Sequence, residues 1–535
     1  MINFRQYTNL TKAVIPNNIK LSTGDFNRSF FNMTNLVTFE FNHRNVTNMS
    51  NTFFNCRNLI SSYVCSNNVI DMNYAYYSCT NLTGFPVCGE KVTSMYDTYY
   101  NCRNLTGSPV CGNNVVNMGK TYCYCSNLTG SPVCGEKVTD MLMAYFNCYN
   151  LTGSPVCGNN VTNMHDTYYY CRNLTGSPVC GNNVVNIVNA YANCSNLTGS
   201  PVCGNNVINM HNTYCNCRNL TGSPVCGEKV NNMVQTYFSC RNLTGSPVCG
   251  NNVVNISRAY WSCRNLTGSP VCGKNVINMH NTYYSCYNLT GSPVCGEKVT
   301  DLSGTYVMCY NLTGSPVCGN NVTSMSSTYS YCYNLTGSPV CGEKVTNIWS
   351  TYQNCNNLTG YPVCGNNVVN MAYAYENCIN ITGSSVCGSN VINMAGVYYN
   401  CSNLSAGNHY WYSNSVSNAR NCFYGKNNSR RYNIHVPANS TTLNTCLINN
   451  ASSIVGANIT WTNAGSYYYN TAYNIYIYPV ANVAAKEKAD KEAILIDFEY
   501  TDNGDGTYTI TDWKDTYQGV ASTRCVIPDY DWIKY

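Results

Sequence analysis

From Cys56 to Cys401 a cysteine recurs every 23 residues without a slip, through Cys79, Cys102, Cys125 and on to Cys355 and Cys378. No other feature of the chain restricts its fold so severely. The same side chains return around each cysteine. Val stands ten residues before it (Val46, Val69, Val92, Val391) and Met, Ile or Leu seven before (Met49, Met72, Met95, Ile187, Leu302, Met394). An aromatic stands three before (Phe53, Tyr76, Tyr99, Tyr122, Tyr398), and Leu or Ile three after (Leu59, Leu82, Leu105, Ile381, Leu404). The unit reads V-x-x-M-x-x-x-Y-x-x-C-x-N-L-T-G-S-P-V-C-G-x-x. A chain of 535 residues would ordinarily suggest about three or four globular domains. A fixed internal period overrides that expectation.

One 23-residue coil cannot bury an apolar face by itself, whereas stacked copies share a continuous core. The expected fold is a repeat solenoid with short parallel β-strands, about sixteen coils over residues 31–405. Val, Met, Tyr, Leu and the Val of Pro-Val-Cys are its expected columns. Gly107 and Gly112, with their equivalents, punctuate turns. Pro109 and its equivalents fix a corner at the edge of a short Ser-Pro-Val-Cys strand.

Charged residues are only 10% of the chain and the formal net charge is +5, with no basic run. That excludes the charge pattern of nucleic-acid binding or of attraction to an anionic membrane. No apolar run is long enough to span a bilayer, and Met1–Tyr7 has neither a basic nor an apolar leader segment. The expectation is a protein without membrane insertion: the mature form of a secreted protein, or a virion protein released by lysis.

The pattern Val-x-x-Met-x-x-x-Tyr/Phe-x-x-Cys-x-x-Leu, clearest in Val46–Cys56, resembles the BspA-like, or Treponema-type, leucine-rich repeats. The resemblance covers residues 30–405, about two-thirds of the chain. It implies a leucine-rich-repeat-like stack and an extracellular adhesive or binding role, as in proteins of bacteria, some protists and phages of gut bacteria. One departure stands out: the family's strand reads Leu-x-x-Ile-x-Ile-Pro, whereas here it reads Leu-Thr-Gly-Ser-Pro-Val-Cys. A shorter strand and a different coil section follow.

Residues 1–30 read as a capping coil with Leu10, Ile19 and Phe30 at apolar positions, and 31–405 as the regular array. Residues 406–480 read as irregular closing coils, in which Ile434–Pro437 and Ile475–Pro479 resemble the family's strand signature. Residues 481–493 read as a charged helical linker, with Glu487 and Lys491 at helix spacing. Residues 494–535 read as a small β module in which Asn503-Gly504-Asp505-Gly506 is a hairpin turn. A calcium loop would require a distal Glu in register, and none follows.

Of the 36 cysteines, sixteen stand in the Cys-x-x-Leu column (Cys102, Cys125, Cys148) and fifteen in the Pro-Val-Cys column (Cys111, Cys134, Cys157). Buried thiol ladders are the expectation, since free cysteine packs as a compact hydrophobe. Disulfides between the columns are the alternative. Zinc is not expected, because the spacing lacks the close pairs of a structural site. His165, His211 and His280 share one place in non-adjacent coils and read as solvent-facing. The recurrent Asn-Leu-Thr reads as turn chemistry, whose side chains satisfy backbone groups.

The scaffold leaves free the two residues after Met, the two after the column Tyr, and the residue after the column Cys. That last place is Arg at 218, 241 and 264, then Tyr at 287, 310 and 333. A basic stripe running into an aromatic one suits carbohydrate recognition; free drift of an exposed turn explains the same residues without a ligand. No carboxylate pair, nucleophile elbow, phosphate loop or His-Glu-x-x-His motif recurs. The chain therefore reads as a non-enzyme without catalytic residues, metal or cofactor. Its expected role is a phage fibre or decoration protein on the virion surface. Its expected partners are a host receptor or carbohydrate, other virion proteins, or copies of itself. A bacterial cell-surface adhesin and a self-assembling spacer are the alternatives.

Overall fold

The computed structural model describes residues 3–15, 24–41, 45–62, 66–494, 498–503, 508–513 and 533–534. Their contacts form two units, Met1–Lys344 with Ser350–Leu358, and Val345–Trp349 with Thr359–Tyr535.

The first unit is the stack. Its coils are turns joined sideways rather than strands. The N–H groups of Met95, Asp97, Tyr99 and Asn101 donate to the carbonyls of Asn117, Gly119, Thr121 and Cys123 in the next coil, at 2.7–3.0 Å. Between them, Thr98, Tyr100 and Cys102 donate back to Met95, Asp97 and Tyr99 in their own coil. This alternation needs a left-handed residue twice per coil, as at Asp97 (φ 55°) and Asn101 (φ 61°). Asparagine tolerates that conformation better than most residues. A further Asn or Asp, as at Asn117, accepts the N–H two residues on (Gly119, 2.8 Å) and closes a side-chain turn. The abundance of asparagine follows from these places.

Val115, Met118, Tyr122, Cys125 and Leu128 are fully buried, and their equivalents repeat coil by coil. The column rings form one ladder from Phe30 to Tyr352, with Tyr99–Tyr122 and Tyr122–Tyr145 centroids 5.6 Å apart. A further column went unread in the sequence: the residue before each ring from Phe53 to Tyr352 is a small buried Thr or Ala. The Thr121 hydroxyl lies 2.9 Å from the Met95 carbonyl and 2.8 Å from that of Met118, tying two coils together. The threonine of Asn-Leu-Thr also bridges coils, as Thr175 Oγ1 donates to the Gly153 carbonyl at 3.3 Å.

Two expectations are corrected. Ser-Pro-Val-Cys is not a strand in the coils from Pro86 to Pro362, and the Val of Pro-Val-Cys is half-exposed while the proline is buried. Proline has no N–H to offer a ladder. The valine's backbone is instead clasped by the column tyrosine: Val110 N–H donates to the Tyr122 hydroxyl (3.0 Å), which donates to the Val110 carbonyl (2.7 Å). Parallel contact between neighbouring coils is reduced to single bridges such as Ser94–Asn117–Asp140. True strands occur in the first coils, which lack the Ser-Pro-Val-Cys segment: β1 (Lys12–Ile15), β2 (Thr38–Phe41) and β3 (Ser61–Ser62) form a parallel sheet.

Asp97 is 4% exposed and its Oδ1 has no hydrogen-bond partner. Burial pushes its carboxyl up to about 6, against the pull of Lys120. The folded state thus holds the proton more tightly than the unfolded chain, whose aspartate titrates near ~3.9. The stabilising contribution is complete below that value and is lost as pH rises through about 6. Asp97→Asn is expected to flatten this dependence and stabilise the first unit at pH 7 by about 1–2 kcal/mol. Thermal melts of both forms between pH 4 and 7 check it.

In the second unit, β4 (Val386–Cys387) begins where Ser385 replaces the proline. With β5 (Gly407–Trp411), β6 (Tyr432–Pro437), β7 (Thr462–Asn463), β8 (Tyr468–Asn470) and β9 (Ile475–Val480) it forms a sheet of order β4-β5-β6-β9-β8-β7. The first four of these run parallel and the last two antiparallel, with Ile434 opposite Ile477. Helix α1 (Thr441–Cys446) is capped by Ser440. Helix α2 (Val483–Ile494) occupies the segment expected to be a linker and is seated on the sheet, where Asp490 accepts from the Tyr410 hydroxyl at 2.7 Å. Lys491 pairs with Glu487 at 3.0 Å. Beyond it, β10 (Phe498–Asp502) pairs antiparallel with β11 (Tyr508–Trp513), which pairs parallel with β12 (Ile533–Lys534). Ile19, the turn residues Gly504–Gly506 and Cys525 lie outside the described residues.

Candidate functional site

The residue after each column cysteine opens the Cys-x-x-Leu turn, closed for example by Leu266 N–H to the Cys263 carbonyl (3.2 Å), and it points to solvent. Arg218, Arg241 and Arg264 are exposed there, Tyr287 and Tyr310 are half-buried, and Tyr333 is exposed. The later members are continuous. The Arg264 guanidinium lies 5.3 Å from the Tyr287 ring centre. Tyr287 stacks on Tyr310 at 4.9 Å and Tyr310 on Tyr333 at 5.3 Å, and Tyr331 meets Tyr333 edge-on. Desolvation between its neighbours raises the Tyr310 phenol, so its hydroxyl stays a donor. Stacked rings cover one another's faces. A ligand therefore meets their edges and hydroxyls, with the guanidinium at one end.

The cysteines are not part of this face. Cys102, Cys125 and Cys148 are fully buried, and each Sγ lies 2.9–3.1 Å from a column carbonyl of the preceding coil, those of Tyr76, Tyr99 and Tyr122. A thiol donates there; a disulfide sulfur could not. Cys111, Cys134 and Cys157 are half-buried and turned to a glycine carbonyl at 3.6 Å. All the described cysteines are free. Burial pushes the Cys111 thiol up to about 12, leaving a thiolate fraction on the order of 10⁻⁴ at pH 8. Native protein is expected to take up a thiol reagent far more slowly at these columns than denatured protein, which mass spectrometry can follow site by site. Fast native labelling of Cys111 would contradict the packing.

His165, His211 and His280 are half-buried rather than solvent-facing. His165 is 3.1 Å from Asp166, whose hydrogen bond raises its pKa. His211 meets Asn212 and burial lowers its pKa. The three do not converge, and no cluster able to hold a metal occurs among the described residues.

A second aromatic column went unnoticed in the sequence, although its signal was there: an aromatic directly after the column ring. Phe31, Phe54, Tyr77 and Tyr100 stack at 4.6–4.7 Å, and Phe238, Trp261 and Tyr284 at 5.7 and 4.1 Å. Two of the five places read as free to vary in each coil are the left-handed ones, as at Met143, Tyr170 and Tyr331, and so carry a backbone restriction.

Parallel coils, a buried leucine column and a decorated turn face define a repeat solenoid of the leucine-rich-repeat kind. A family model described as "Mycoplasma protein of unknown function, DUF285" matches residues 24–132 and 323–436. Among solved structures, the chain is similar to a leucine-rich repeat protein from Bacteroides ovatus. That likeness is 14% identical and spans 64% of this chain and 82% of that one, with a TM-score of 0.38. It is also similar to TLR13 in a complex with ssRNA13, at 11% identity over 77% of this chain and 80% of that one, with a TM-score of 0.20. No curated protein matches. Among the described residues no helix is long and apolar enough to cross a membrane.

Proposed function

We propose that this protein is a non-enzymatic adhesive solenoid, displayed on a virion surface, whose Arg/Tyr stripe contacts a host receptor or carbohydrate. The observation that carries the reading is the unbroken column Arg264–Tyr287–Tyr310–Tyr333 on the turn face. Its guanidinium and phenolic groups suit a hydroxyl-rich ligand, and the aromatic and Arg content is that of binding hot spots. A bacterial cell surface is the second location for the same role, and the description of the matching family as a Mycoplasma protein supports a bacterial source. Fractionation into virions, cell envelopes and medium separates the two locations. Replacing Arg218, Arg241 and Arg264 together by alanine is expected to weaken attachment to target cells by at least about tenfold, since each charged hydrogen bond contributes roughly 1.5–3 kcal/mol. Unchanged attachment would refute the stripe.

A further inference from the structure

A shallow depression of 320 Å³ in the first unit is lined by Asn147, Tyr149, Asn150, Tyr170, Arg172 and Asn173. It lies across the coils of Cys148 and Cys171, in the same column as the Arg218–Tyr333 stripe, which begins two coils after Arg172. Three features come together there.

Tyr170 holds a left-handed backbone (φ 64°) at a place that is asparagine at 55, 101, 147, 193 and 216. The scaffold holds this place left-handed in every coil, and tyrosine recurs there at 124 and 331, but only Tyr170 is followed two residues on by an arginine. The side chain at 170 changes what that arginine meets. In two of the coils with asparagine, Arg57 Nε donates to Asn55 Oδ1 and Arg103 Nε to Asn101 Oδ1, both at 2.8 Å. Tyr170 offers no such acceptor. The Arg172 guanidinium lies over its ring at 4.8 Å and pairs with no carboxylate among the described residues. Finally, Tyr149 is 44% exposed and, unlike the stripe tyrosines, stacks on no other ring among the described residues. The side-chain amides of Asn147, Asn150 and Asn173 likewise have no hydrogen-bond partner among the described residues.

We infer that this depression is a binding subsite for a saccharide residue bearing a carboxylate, of the hexuronate type. The free face of Tyr149 receives the apolar C–H face of the ring. The three unpaired amides meet hydroxyl groups, and the untethered Arg172 fork meets the carboxylate through two parallel hydrogen bonds. The Tyr170 ring holds that fork from beneath through cation–π contact. A neutral sugar would use the ring and the amides and leave the guanidinium unmatched. The inference rests on the adhesive reading but names different residues and a narrower ligand.

The test is calorimetric titration of the full chain with tetragalacturonate and with a neutral galactose tetrasaccharide, alongside Arg172→Gln and Tyr170→Asn. The second variant installs the residue of the neighbouring coils, so folding is retained while the ring is lost and Arg172 gains a tether. The acidic probe is expected to bind at least about tenfold tighter than the neutral one, and each variant to lose at least about tenfold. Equal binding of both probes would overturn the ligand class. Binding unaffected by both substitutions would overturn the site, as would no binding of either probe by the wild type. In these cases, attachment that still depends on Arg218, Arg241 and Arg264 leaves the adhesive reading standing. Only a wild type that attaches to no target cell overturns that reading.

Discussion

Replacing Tyr122 by phenylalanine is expected to destabilise the first unit by about 2 kcal/mol, although the ring and its stacking are kept. The hydroxyl is both acceptor for the Val110 N–H and donor to the Val110 carbonyl. Without it, two backbone groups lose their partner, at roughly 1–3 kcal/mol each when buried. The half-exposure of Val110 lets water recover part of that. Tyr122→Ala removes the ring from a fully buried place as well and is expected to cost about 5 kcal/mol. The chain contains its own control. Phenylalanine stands in the ladder at Phe53, and the residue twelve before it, Phe41, ends the true strand β2, whose backbone pairs with β1 without a hydroxyl. Urea unfolding of the two Tyr122 variants checks the clasp. A Tyr122→Phe cost under about 0.5 kcal/mol, the range of a neutral surface change, would remove it from the account.

The second large effect is expected at Gly222. Its φ of 79° lies in the region where a β-branched residue is strained, and a Cβ there would stand 2.2 Å from Ser200 Oγ and 3.1 Å from Ser200 Cα in the preceding coil. The serine hydroxyl can rotate away but the backbone cannot. Gly222→Val is expected to cost about 3–4 kcal/mol, the sum of backbone strain and separation of two coils. Gly84 has nearly the same φ, 88°, with open space around its missing Cβ. Alanine at Gly84 should therefore cost only about 1 kcal/mol, the strain alone. The difference between Gly222→Ala and Gly84→Ala in thermal unfolding measures how closely the coils approach. Equal losses would mean that the glycine column is a turn requirement only.

The columns of Val, Met, Tyr, Cys and Leu were legible in the sequence because a side chain packed on its own copy must recur at the repeat length. What escaped was everything set by direction rather than period. Pro109 and Val110 recur equally well whichever faces inward, and only the missing proline N–H, read together with the Tyr122 hydroxyl, tells that the proline is buried. Thr121 alternates with alanine in other coils and so reads as small rather than as a bridge between two carbonyls. Residues such as Tyr170 vary from coil to coil and read as unconstrained, while the backbone there is held left-handed. The stripe from Arg218 to Tyr333 was visible as consecutive identities. That its aromatic members would stack on one another and cover their faces was not, because it depends on the rotamers of neighbouring coils.

The central claim is that the first unit is a stack in which one 23-residue coil is the unit of register. Excising Asn219–Arg241, which is 23 residues, joins Arg218 to Asn242 and restores every column; excising Asn219–Cys240, one residue fewer, shifts them all. Thermal unfolding of these two deletions is the most direct test. The account predicts that the first variant melts cooperatively within a few degrees of the full chain, because nearest-neighbour contacts are simply re-formed, and that the second loses cooperative folding. Unfolding of the first, or equal tolerance of both, would contradict it.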